Sequence, residues 1–112
     1  PSLDLGAQRK QRGRMMVEVV FSFEVSKEKQ EEFLKFVKSG TKPWWESHGC
    51  LAYNVWQAAG ENAFMKTMQF PDLATMKKIM PANKQDPTCK TLIQKFESYV
   101  TNISRKPYVK MT

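Results

Sequence analysis

The chain is poor in the residues that most enzymes use for chemistry. Its 112 residues hold one histidine, His48, and two cysteines, Cys50 and Cys89. One imidazole and two thiols with 38 residues between them make no recognisable metal-ligand set, so no metal is expected. Two cysteines are also too few for a disulfide framework. A reducing cytoplasm is therefore the expected compartment, with a Cys50–Cys89 bridge the minor alternative. No apolar run approaches the roughly 18 residues that a membrane span requires, and no signal-peptide pattern is present, so no membrane partner is expected. Glycine is sparse, at five residues, and neither a Gly-rich phosphate loop, a Ser-His-Asp order nor a paired acid motif appears.

Acids are the outnumbered charge, 11 against 18 basic residues, for a formal net charge of +7. Arg9, Lys10, Arg12 and Arg14 stand against Asp4 in residues 1–14, which contribute +3 of that total. Residues 1–15 show no apolar periodicity and read as a flexible basic arm or an upstream leader, with Met15 or Met16 the natural start of the folded unit. Residues 16–112 read as one domain, and a hydrophobic content of 41% is that of a globular chain.

Hydrophobic periodicity orders this domain. Val17, Val19, Phe21, Phe23 and Val25 alternate with Glu18, Ser22 and Glu24, which predicts a half-buried first strand. Ser26 suits a helix N-cap, Phe33, Leu34, Phe36 and Val37 form an apolar stripe, and Gly40 with Pro43 predicts a stop or kink. Leu51, Tyr53 and Val55 alternate with Cys50, Ala52, Asn54 and Trp56 in a second strand, and residues 63–70 give a third. Residues 58–62 between them predict a hairpin loop of about five residues. Asp72 caps a short helix predicted to end at Pro81, and Asp86-Pro87 opens another, aspartate suiting the cap and proline the first helical position. The fourth strand lies either around Val100–Ser104 or around Tyr108–Met111. The order β-α-β-β-α-β is the ferredoxin-like arrangement, an α+β fold with an antiparallel sheet carrying helices on one face. Met16, Val20 and Trp56 on the other face predict a homodimer in which two sheets meet.

The Glu46…Gly49-Cys50-Leu51-Ala52-Tyr53 junction, the Val17–Val37 opening, the Phe64–Phe70 strand followed by Asp72, and the Asp86-Pro87 start together resemble the antibiotic-biosynthesis-monooxygenase family of the dimeric α/β-barrel superfamily. The resemblance covers roughly Met16 to Met111. It implies a dimeric α/β barrel that binds a small hydrophobic or aromatic molecule between helices and sheet. It also implies oxidation of that molecule by O₂ without metal, flavin or other cofactor, the substrate giving up its electron as a carbanion. Two departures stand out. Where the family often carries a Glu and a Trp at the end of the third strand, this chain has Met68 and Phe70. Where the haem-degrading branch has an Asn, a Trp and a ligand His, it offers Phe21, Ile79 and Ile93, so haem degradation is not implied.

The polar groups that such chemistry would draw on are His48, Tyr53 and Asn54. His48 stands two residues from Cys50, a spacing at which an extended backbone puts both side chains on one side. A junction histidine with a structural role competes with that reading. Phe21, Phe23, Trp44, Trp45, Met68 and Phe70 are the candidate substrate-binding residues, although core packing accounts for aromatics and methionines as well. Adjacent tryptophans cannot both enter one core from one helix face, so one of Trp44 and Trp45 is expected at a pocket rim or a neighbouring chain. The alternative function is a non-enzymatic interaction protein, nucleic-acid-associated through the basic arm. Against it, the strands lack the Gly-Phe/Tyr-rich motif of ferredoxin-like RNA modules, so nucleic acid is not the expected partner.

Overall fold

The period-two run from Val17 builds the centre of the molecule. In the computed structural model, which describes residues 15–112, β1 (Val17–Glu24) pairs antiparallel with β3 (Ala63–Phe70) on one side and with β4 (Thr101–Val109) on the other. β2 (Ala52–Gln57) pairs antiparallel with the far edge of β3, giving the strand order β2-β3-β1-β4. This is the ferredoxin-like arrangement. The basic arm read from residues 1–15 lies, except for Met15, outside the described residues.

Register follows the alternation. Val17, Val19 and Phe23 lie opposite Phe70, Met68 and Phe64 on the face covered by helices, and all six are buried. Phe23, Phe33, Phe64 and Phe96 form an aromatic cluster there, with ring centroids 5.4–6.1 Å apart in edge and stacked geometries. The opposite face is uncovered, and Trp56, Met65 and Tyr108 are exposed on it.

The first helical segment, α1, spans residues 27–46 in four registers: a 3₁₀ turn (Lys27–Lys29), an α-helix (Gln30–Phe36), a π turn (Val37–Thr41) and a final α-helical stretch (Lys42–Glu46). Gly40 and Pro43 therefore do not stop it. Pro43 has no N–H, and in a regular helix its ring would strike the carbonyl of residue 39; the wider turn relieves that clash. Gly40 also lets the next layer in, since a Cβ there would lie 3.2 Å from the Phe36 ring and 3.3 Å from Leu92.

α2 (Leu73–Asn83) is capped by Asp72, whose carboxylate accepts from the Thr75 amide at 2.6 Å. It runs past Pro81 rather than ending there. α3 (Pro87–Tyr99) starts at the Asp86 cap, with Pro87 as its first helical residue. The fourth strand joins both candidate stretches of the tail. A register shift opposite Ser22–Glu24 absorbs Asn102, which sits at φ 54° and donates to the Glu24 carboxylate. Pro107 is tolerated because β4 is an edge strand. Among the described residues no helix is long and apolar enough to cross a membrane.

Candidate functional site

The junction between α1 and β2 fixes one wall of the site. Glu46 accepts the Tyr53 amide and the Lys42 ammonium, both at 2.9 Å, and Lys42 also donates to the Tyr53 carbonyl at 2.6 Å. The Tyr53 amide first and Lys42 second hold the Glu46 carboxyl below its ordinary range. Gly49 makes the reversal between them, with φ +99° and Ile79 so close that a Cβ would lie 2.6 Å from its Cδ1. This clamp aims the Tyr53 side chain into the space under the sheet, where it is fully buried.

Between the helix-covered face of the sheet and the helices lies a cavity of about 290 Å³. Phe21, Tyr53, Lys66 and Met68 form its sheet side, and Thr41, Trp45, Met80, Ile93 and Phe96 its helix side. Lys84, Glu97 and Ile103 also line it and are exposed, so the mouth lies with them.

Lys66 is the unusual member. It is 8% exposed, and its Nζ stands 3.9 Å from the Phe21 ring centroid, 4.5 Å from that of Phe96 and 5.3 Å from that of Tyr53. It forms no ion pair among the described residues. Burial foremost, with the positive charges of Lys84 and Arg105 adding to it, lowers its pKa from 10.5 to about 7. Two further polar groups are shut in nearby: the hydroxyls of Tyr53 and Thr41 are enclosed and neither completes a well-formed hydrogen bond. Burial raises the Tyr53 phenol well above its usual range, while the adjacent Thr41 hydroxyl works the other way. The π turn of α1 is the element that brings Thr41 to this position.

Of the residues singled out from sequence, Phe21, Trp45, Tyr53 and Met68 meet at this cavity. Trp45 is not a half-exposed rim residue but a buried wall, 4% exposed. Trp44 takes the outer position, stacked on the His48 ring at 3.9 Å. Phe23 and Phe70 are buried but do not line the cavity. Asn54 sits on the uncovered face of the sheet, 3.3 Å from the Lys42 Nζ. His48 is exposed, and its Nδ1 engages the Trp44 carbonyl at 2.7 Å and the Ser47 hydroxyl at 2.9 Å. The Cys50 thiol donates instead to the Ala52 carbonyl, so no Cys-His pair forms. Both cysteines are free and buried, and desolvation raises both thiols.

Lys66, Thr41, Ile93 and Phe96 were not among those residues. For Lys66 the signal lay in the alternation: Phe64, Lys66, Met68 and Phe70 occupy one face of β3, a lysine in an otherwise apolar series. Thr41 carried no such mark, because its placement depends on the π turn.

No protein-family model matches the chain, and no curated protein sequence matches it. Solved structures do share its fold. SnoaB, a cofactor-independent oxygenase from Streptomyces nogalater, superposes with a TM-score of 0.71 at 12% identity, over 87% of this chain and 94% of that one. A candidate antibiotic biosynthesis monooxygenase from Deinococcus radiodurans gives 0.67 at 17% identity, over 86% and 93%. A NIPSNAP family protein of unknown function from Agrobacterium tumefaciens gives 0.70 at 14% identity, over 87% and 89%. The chain thus has the fold of the antibiotic-biosynthesis-monooxygenase-like and NIPSNAP proteins.

Proposed function

We propose that this chain binds a small, flat, hydrophobic or aromatic molecule in the cavity between sheet and helices. The observation that carries the reading is the cavity itself. It is a pre-formed space of about 290 Å³ walled mostly by apolar and aromatic side chains, with one deeply buried amine inside and an exposed mouth. That volume is near the low end of ligand sites, roughly 300–1,000 Å³, which limits the occupant to one or two fused rings. The chemistry of SnoaB supplies the finer proposal, that the bound molecule is oxidised by O₂ with no cofactor.

Titration with 2-naphthol tests both levels. Binding quenches the Trp45 emission and raises the melting temperature as ligand concentration rises. Ile93→Trp, which fills the cavity from the helix side, abolishes both responses while the circular dichroism spectrum is kept. Absence of quenching and of thermal shift in the wild-type protein overturns the binding reading. An oxygen electrode separates the finer proposal, since binding without O₂ uptake leaves a binding protein and no oxygenase.

A further inference from the structure

We propose that Lys66 is a carbonyl-reactive amine, and that a small aromatic aldehyde or ketone entering the cavity condenses with its Nζ to form a reversible imine. This inference rests on the reading of the cavity as a ligand site and assigns to it a substrate class and a bond-forming residue.

The geometry isolates one nucleophile. β3 puts Lys66 on the helix-covered face between Phe64 and Met68, and the side chain is 92% buried by its 8% exposure. Three aromatic rings surround the Nζ, and no carboxylate lies within ion-pair distance among the described residues. The ionisable groups that act on it are the cations Lys84, at the end of α2, and Arg105, on β4, with the buried thiols of Cys50 and Cys89. Glu97 of α3 is the acid that lines the mouth. Desolvation beside other cations is the setting that frees a lysine lone pair near neutral pH. A charge-paired surface lysine has no such freedom.

The reaction balances without a redox partner. The Nζ lone pair attacks the carbonyl carbon, and the nitrogen proton passes through solvent at the mouth to the carbonyl oxygen, giving a carbinolamine. The second nitrogen proton then passes through the same solvent to the hydroxyl, which leaves as water while the C=N bond forms, so amine and carbonyl become imine and water. The apolar walls favour this product, because neither the neutral imine nor the aromatic ring asks for a charge to be solvated.

The test is reductive trapping with 2-naphthaldehyde and cyanoborohydride at pH 7, read by intact mass and peptide mapping. The expected result is one adduct on Lys66, formed at least ten times faster than adducts on the surface lysines and absent from Lys66→Arg. A 2-naphthol titration of the same preparation distinguishes the two levels. If 2-naphthol binds but adducts spread evenly over surface lysines at equal rates in wild type and Lys66→Arg, the imine proposal is overturned and the ligand site stands. If 2-naphthol does not bind and no selective adduct forms, both readings fail. Lys66→Met, which keeps an apolar side chain of similar length, confirms that loss of the adduct reflects loss of the amine rather than of the fold when its circular dichroism matches wild type.

Discussion

Lys66 and Phe21 face one another across the β1–β3 ladder, and the lysine Nζ lies 3.9 Å from the centre of the phenylalanine ring. The ring gives a cation modest compensation, about 0.5–2 kcal/mol. Removing an ammonium group from water costs far more than that. A cavity built this way holds a destabilising residue on the helix-covered face of its sheet, and packing alone gives no account of it.

Lys66→Met is accordingly expected to stabilise the protein, with a sign that follows from proton linkage. The amine titrates near 7 in the folded chain and near 10.5 when unfolded, so the unfolded state binds more protons between those values. The penalty is fully present below pH 7, shrinks as pH rises and is gone above about 10.5. At about 1.4 kcal/mol per pH unit between the two values, the gain from the substitution is a few kcal/mol near neutrality. Urea denaturation at pH 6, 8 and 10 checks this. A Lys66→Met protein that is less stable than wild type, or a gain independent of pH, would count against a buried, unpaired amine.

Gly49→Ala is expected to cost more than a routine glycine substitution. Its φ of +99° is strained for any L residue, and the added Cβ would press to 2.6 Å on the Ile79 Cδ1. Strain of this kind costs on the order of 1–3 kcal/mol. Ile79→Val removes the Cδ1, so the double variant should recover the steric share of the loss and leave the backbone share. Thermal melts of the four proteins of the cycle decide it, and additive losses would show that Ile79 is not what the new methyl group meets.

The architecture was legible because its signals are local and consistent. Val17, Val19, Phe21, Phe23 and Val25 recur at every second position, and Asp72 and Asp86 sit where helix N-caps belong. The site was legible only in part. Phe21, Trp45, Tyr53 and Met68 could be named from residue type and alternation, but what separates Trp45 from Trp44 is the turn of α1 about the core. Gly40 and Pro43 reported a local break correctly, yet composition alone does not reveal that a helix widens to a π turn there instead of ending, and Thr41 is placed by that turn. Pro81 likewise sits within the last turn of α2 and not after it. His48 drew notice as the lone imidazole, whereas Lys66, one basic residue among many, becomes distinctive only once desolvated.

Phe23→Ala and Trp45→Ala are both expected to destabilise the fold by about 3–5 kcal/mol, the usual cost of truncating a buried aromatic. They differ in what else they change. Phe23 packs against Phe33, Phe64 and Phe96 and does not line the cavity, so ligand affinity of the folded fraction should be kept. Trp45 is 4% exposed and lines the cavity, so its loss enlarges the site and removes the emission that 2-naphthol quenches. Calorimetric titration at low temperature, where both variants remain folded, separates the effects. Equal affinity changes in the two would place the ligand elsewhere.

The uncovered face of the sheet leads to the last prediction. Val20, Trp56, Met65 and Tyr108 lie on it, and Trp56 is 55% exposed although its indole N–H is tied to the Thr67 hydroxyl at 3.2 Å. That bond lays the ring along the sheet, where it widens an apolar surface instead of projecting alone. Apolar patches of this kind on a sheet face mark association surfaces, and a face that meets a second copy of itself about a two-fold axis closes without leaving another exposed. We therefore expect a homodimer joined through this face. Light scattering at micromolar concentration should give twice the 13.0 kDa chain mass. Val20→Asp, which puts a charge at the centre of the sheet, should shift the mass toward the monomer. Lys29→Glu, on the exposed surface of α1, should leave it unchanged. A wild-type protein that stays at 13.0 kDa over the whole concentration range would rule out the dimer, and the apolar side chains of this face would then require a different partner.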